Sequence, residues 1–217
     1  MFVGHTALAL AAKRRAPELS LGWLFAAAVT LDLLWPLFLI LGLEQVALGS
    51  ATGGFDNLTF VSYPWSHSLL MAVVWGGAMF ALARWRGISA PSSVLLALLV
   101  VSHWVLDWAT HAPDMPLLPW GGPKIGLGLW ASVPGTYVVE GAMYLAGIWL
   151  YLGGTKEKDK VGSIGLWTWL LVMALMWASG PLGPPPPSTS AVAWGAFIAM
   201  PILVAWAWWA DRHRAVI

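Results

Sequence analysis

The sequence predicts an all-α integral membrane protein, a six-span helical bundle with a short N-terminal helix. Three observations carry this. The 217 residues are 59% hydrophobic and only 10% charged, against about 25% charged in an ordinary soluble domain, and mean hydropathy is +0.74. Six apolar stretches approach or exceed the ~20 residues that cross a hydrocarbon core. Basic residues cluster at every second boundary between those stretches, as the positive-inside rule requires. The chain reads as a single domain over 1–217, with a core of about 1–152 and two accessory spans within 161–210.

Residues 2–12 are apolar, but as a helix they reach roughly 16 Å, half of a ~30 Å core. Lys13, Arg14 and Arg15 follow this run instead of preceding it. It is therefore read as a short helix dipping into the bundle, not as a signal peptide. The first span, 19–43, is interrupted by Asp32 and Pro36, and a Gly-rich loop over 44–65 follows. The next two spans are 66–85, opened by His67 and Ser68, and 90–108, with His103 and Asp107 near its end. A Pro/Gly-rich loop over 109–131 leads to 132–152, which holds Glu140. The spans 161–180 and 190–210 flank four consecutive prolines, which cannot be helical. Placing Lys13/Arg14/Arg15, Arg84/Arg86, Lys156/Lys158/Lys160 and Arg212/Arg214 in the cytoplasm leaves only Lys124 on the opposite face. Both termini are then expected near the cytoplasmic side.

The chemistry concentrates in residues 102–114, where His103, Asp107 and His111 recur every fourth position. On a helix that spacing stacks them along one face. Ionisable groups within a span are costly and tend to be functional. The topology, drawn from Lys and Arg alone, brings Asp32, His67, Glu140, His103 and Asp107 into the outer half of the membrane, and His5 can reach a similar depth. No Lys or Arg lies at that depth to pair with the acids, and a divalent cation would satisfy them. Cysteine is absent, so His, Asp and Glu must supply the ligands. That chemistry suits zinc first, with manganese or iron as alternatives.

The order Asp32, His67, His103-x3-Asp107 is similar to the ligand order of the zinc-dependent phospholipase C and single-strand nuclease superfamily. Gly4-His5, His67-Ser68 and His103/Asp107 also resemble the predicted membrane-bound metal-dependent hydrolases, multi-span proteins of bacteria and archaea. The resemblance covers roughly residues 1–115. It implies a prokaryotic plasma membrane, metal ligands at His5, Asp32, His67, His103 and Asp107 (the last bridging two ions), and phosphoester hydrolysis. The soluble enzymes' later His-x3-Glu helix has no counterpart, which leaves Glu140 and His111 as substitutes and as candidate catalytic groups. A site one to two turns below the outer surface suits a lipid or lipid-linked phosphate. Nucleic acid is excluded, because that face has no basic groove. Two other readings use the same residues: a proton- or ion-conducting path, and a non-enzymatic membrane subunit in which the polar cluster fixes helix contacts.

Overall fold

The computed structural model describes residues 1–49, 54–55 and 58–217. It is mostly helical, and each helix is placed by a local signal. Helix α1 (Val3–Ala12) stops at the Lys13-Arg14-Arg15 turn. Ser20 caps α2 (Leu21–Ala28) by accepting from the Trp23 amide. The chain then breaks at Val29 and resumes as α3 (Thr30–Ile40), bent 57° from α2. The break precedes Pro36, which lies inside α3. The stretch read as a loop over 44–65 carries an antiparallel ribbon, β1 (Gln45–Leu48) with β2 (Leu58–Ser62).

A one-turn helix, α4 (Pro64–His67), precedes α5 (Leu69–Trp85), and Ser68 stands between them in an extended conformation. Ser68 is the residue that caps α5, through the Met71 amide. Ser66 bonds Glu44 and His67 instead. Helix α6 (Ala90–Thr110) ends where His111 turns extended. The Leu127 and Gly128 amides satisfy the Trp108 and His111 carbonyls at that end. Gly128, at φ +71°, supplies the left-handed turn this requires. The intervening loop carries a second ribbon, β3 (Met115–Pro116) with β4 (Lys124–Ile125). Helices α7 (Val133–Leu152), α8 (Lys160–Ser179) and α9 (Thr189–Arg212) follow. A third ribbon pairs β5 (Thr155–Glu157) with β6 (Arg214–Val216).

Among the described residues, α6, α8 and α9 are each long and apolar enough to cross a membrane, and α2 with α3 makes a fourth if the bent pair is one span. Large apolar side chains are exposed along α5 to α9, among them Leu98, Leu145, Leu171 and Ile202. These features point to membrane association. Helix α1 lies in the interior between α2, α6 and α7. It approaches α7 so closely that a Cβ on Gly147 would lie 2.7 Å from the Ala7 Cα.

The basic clusters meet at one end of the bundle. Lys13 Nζ donates to Asp211 Oδ2 at 2.9 Å and to the Leu19 carbonyl at 2.7 Å. Asp211 also accepts from the Leu21 amide at 3.0 Å and from Tyr151 Oη at 2.5 Å. Arg214 is buried and donates to Thr155 and Gly162. Asp211 is thus a buried junction of α1, α2, α7 and α9. The N-terminus departs from expectation. Met1 lies beside Asp107, in the half of the bundle opposite Lys13. The reason is length, since α1 spans only about 15 Å and its first residues are held at the other end.

Removing one partner of a buried ion pair strands the other, at a cost of about 3–5 kcal/mol. Asp211→Ala is therefore expected to lower the midpoint of thermal unfolding in detergent far more than Asp159→Ala, whose carboxylate pairs with the exposed His213. Equal melting temperatures would contradict the role given to Asp211.

Candidate metal centre

Five predicted ligands from four parts of the chain converge. His103 and Asp107 lie one turn apart on α6, with His103 Nε2 3.0 Å from Asp107 Oδ2. Asp32 sits in the first turn of α3 and His67 is the last residue of α4. His67 Nε2 lies 3.6 Å from Asp32 Oδ1 and 3.7 Å from Asp107 Oδ2, and His103 Nε2 lies 3.7 Å from Asp32 Oδ1. His5 comes in on α1, its Nε2 3.0 Å from Asp107 Oδ1 and its ring stacked on His103 at 3.7 Å between centroids.

These separations are those of a site that could hold a cation. Three of them, at 3.6–3.7 Å, are too long for hydrogen bonds. Four ligand atoms held ~2.0–2.1 Å from a tetrahedral ion stand about 3.3–3.4 Å from one another, close to what the cluster presents. Two ligand groups form, Asp32/His67/His103 and His5/His103/Asp107, each with its ligand atoms within 4.8 Å of one another. Asp107 directs Oδ2 towards His67 and His103 and Oδ1 towards His5 and the Met1 amine.

The outer hydrogen bonds aim the imidazoles inward. His103 Nδ1 donates to the Ala28 carbonyl at 2.8 Å. Ala28 is the last residue of α2, where carbonyls lack helical partners. The break at Val29 thus supplies an acceptor to His103 as well as placing Asp32. His67 Nδ1 lies 2.7 Å from Ser66 Oγ, which donates to Glu44 Oε2 at 2.7 Å. Glu44 Oε1 takes the Trp65 and Ser66 amides at 2.9 and 2.7 Å. With Glu44 ionised, Ser66 spends its one proton on the carboxylate and accepts the proton of His67 Nδ1. Burial raises the Glu44 carboxyl above its usual range, and the hydrogen bonds from Ser66 oppose that rise. In both rings the inward Nε2 is left with a lone pair, the form in which imidazole binds metal. His103 Nε2 is buried and makes no hydrogen bond despite Asp107 Oδ2 nearby. Converging lone pairs in the interior call for a cation between them. The buried His/Asp groups could therefore hold a metal ion, and their donors, imidazole nitrogen and carboxylate oxygen, fit one.

The Asp32 side chain is 37% exposed, while those of His5, His67, His103 and Asp107 are nearly fully buried. The cluster is therefore open on the α3 side.

The two other predicted residues take different places. Glu140 is buried and accepts the Phe2 amide at 2.8 Å, the Gly4 amide at 3.4 Å and Trp130 Nε1 at 3.0 Å. It caps the start of α1, and so holds His5 in position. His111 contacts Asp114, Phe60, Tyr63 and Trp130 and none of the five ligands. It leaves the His103/Asp107 stripe because α6 has already ended at Thr110. Two aromatics near the cluster are also inward-facing, since Trp104 is buried and Trp130 donates to Glu140. The sequence reading missed Glu44 and Ser66. Their only signal was a hydroxyl next to His67 and an acid at the mouth of the preceding loop.

Compared with protein-family models, curated proteins and solved structures, the chain matches none.

Metal titration tests the centre. Wild type purified without chelator is expected to carry or take up a divalent ion, and His103→Ala to lose it. Ser66→Ala is expected to weaken affinity about 10–100-fold, the usual cost of losing an outer hydrogen-bond partner. Affinity unchanged in Ser66→Ala would remove the Glu44–Ser66–His67 relay from the account.

Proposed function

We propose that this protein is a membrane-embedded, metal-dependent hydrolase acting on a lipid or lipid-linked phosphoester from the outer face of a prokaryotic plasma membrane. The observation that carries the reading is the set of imidazole and carboxylate atoms at 3.0–3.7 Å around His103 and Asp32. It is the donor set of zinc hydrolases, and it fits the resemblance to the membrane-bound metal-dependent hydrolases. Bound there, a divalent ion supplies Lewis-acid polarisation of a phosphoryl oxygen and a lowered pKa for water. The chain's own groups hold Asp107 between the two ligand groups, orient His67 and His103 through their Nδ1 partners, and leave access at Asp32.

Six spans follow if α2–α3, α5, α6, α7, α8 and α9 each cross, with the Lys13/Asp211/Arg214 end in the cytoplasm. Asp32 lies eight residues before the end of α3, which is about 12 Å of helix. An opening at that depth favours a substrate arriving sideways from the lipid over one arriving from water. Conduction is the weaker reading. Leu10 lies between His5 and Lys13 along α1, Leu24 lies between Leu21 and Ala28 along α2, and both are fully buried, which puts apolar bulk between the ligand cluster and the Asp211 junction.

Two measurements test this. Single cysteines at Leu118 or Trp120 are expected to react with impermeant reagents from outside, and those at Lys156 or Lys158 only after permeabilisation. The reverse pattern would turn the site to the cytoplasm. Purified protein is expected to hydrolyse phospholipids or polyprenyl phosphates in a chelator-sensitive way. Asp107→Asn should lose more than the ~100-fold of an outer-partner change. Turnover that survives Asp107→Asn or chelator would exclude a metal mechanism at this centre.

A further inference from the structure

A second site lies at the opposite end of α1. A crevice of about 650 Å³ runs between α1, α6 and α7, lined by Leu8, Ala11, Leu95, Leu98, Leu99 and Leu150 and closed at one end by Arg14 and Arg15. Its volume falls in the ~300–1,000 Å³ range of small-molecule sites. Its cause is legible in α1, where alanines at 7, 9, 11 and 12 give the helix little bulk. Helix α1 sits tightly on α7 at Ala7 and Gly147, which leaves the space on its α6 side unfilled. At the mouth, Arg14 and Arg15 are exposed and, among the described residues, form no ion pair or side-chain hydrogen bond. They differ in this from Lys13, which Asp211 holds.

We propose that this crevice binds an anionic phospholipid of the leaflet at the basic end, its phosphate on Arg14 and Arg15 and one acyl chain against Leu8, Leu95, Leu98 and Leu99. The ligand follows from the chemistry of the walls. Leucines over a length of about two helical turns match an alkyl chain. Two free guanidiniums beside them match a phosphate, which Arg binds bidentately, and basic pockets between helices at the cytoplasmic face commonly take anionic lipid headgroups. A soluble phosphate would leave the apolar wall uncovered, and a zwitterionic lipid would leave the arginines uncompensated by net charge. The crevice reaches Ser102, the neighbour of His103, so the chain end would lie beneath the metal centre without presenting its phosphate there. The lipid is thus a resident of the fold and distinct from the substrate. The proposal rests on the membrane reading, which carbonate extraction of native membranes tests separately.

The test is retention of lipid by the full chain after reconstitution into vesicles of equal phosphatidylglycerol and phosphatidylcholine, extraction into mild detergent and native mass spectrometry. Wild type is expected to retain phosphatidylglycerol over phosphatidylcholine. In R14Q/R15Q that preference should fall roughly thirtyfold, the effect of removing two basic residues from an anionic surface. R84Q/R86Q, which alters basic residues outside the crevice, should keep it. Ala11→Phe, which fills the crevice with both arginines intact, should also lose retention. Absence of preference in wild type, equal loss in R84Q/R86Q, or full retention in Ala11→Phe would each overturn the site.

Discussion

Asp107 is only 2% exposed, in the last two turns of α6, and carries no Arg or Lys partner. An isolated carboxylate in so apolar an interior is strongly disfavoured. Most of the half of the bundle opposite Lys13 can be read as the response to it. Oδ1 is met by His5 and the Met1 amine, and Oδ2 by His103 and His67. The same demand explains why α1 is interior though short. Its first residues bring donors to Asp107, while Glu140 takes the Phe2 and Gly4 amides that a helix start would otherwise leave unpaired.

Four of the five candidate ligands are placed at or near a helix end or break, and His103 lies one turn before Asp107 on α6. Asp32 follows the break at Val29, His67 precedes the break at Ser68, His5 is in the first turn of α1, and Asp107 is one turn from the end of α6. Breaks are costly inside a membrane, because backbone groups lose their partners where no water replaces them. Here the released groups are used. Ala28 O takes His103 Nδ1, and the Trp65 and Ser66 amides take Glu44, which in turn holds Ser66 against His67. The breaks and the ligand orientation are thus one arrangement.

This division explains what the sequence could reveal. Helix positions were legible because hydropathy and capping act locally, and 90–108 and 132–152 differ from α6 and α7 by at most two residues at either end. The five candidate ligand residues were legible because ionisable groups are rare enough in these apolar stretches to stand out. Their partners were not. Glu44 lies 22 residues before Ser66 and reads as an ordinary loop acid. Asp211 lies in a charged tail, and its burial depends on Lys13, 198 residues away. His111 misled for a related reason. A four-residue spacing implies a shared face only while the helix lasts, and the extended backbone at His111 ends it.

The two polar junctions also divide the work of the fold. The Lys13–Asp211–Tyr151 junction is a closed set, in which one carboxylate meets an ammonium, an amide and a phenol. Such a set is satisfied by the protein alone and needs no ligand. The His/Asp cluster is not closed. Its carboxylates face imidazoles whose outward nitrogens are already committed at His67 and His103, and His103 Nε2 has no hydrogen bond. Helix α1 joins the two junctions, with Lys13 at the closed one and His5 at the open one. Tightening the closed end therefore fixes the height of His5 against His103. The bundle thus secures one polar junction internally, while at the other the Met1 amine meets Asp107 and the imidazole and carboxylate groups could hold a metal ion.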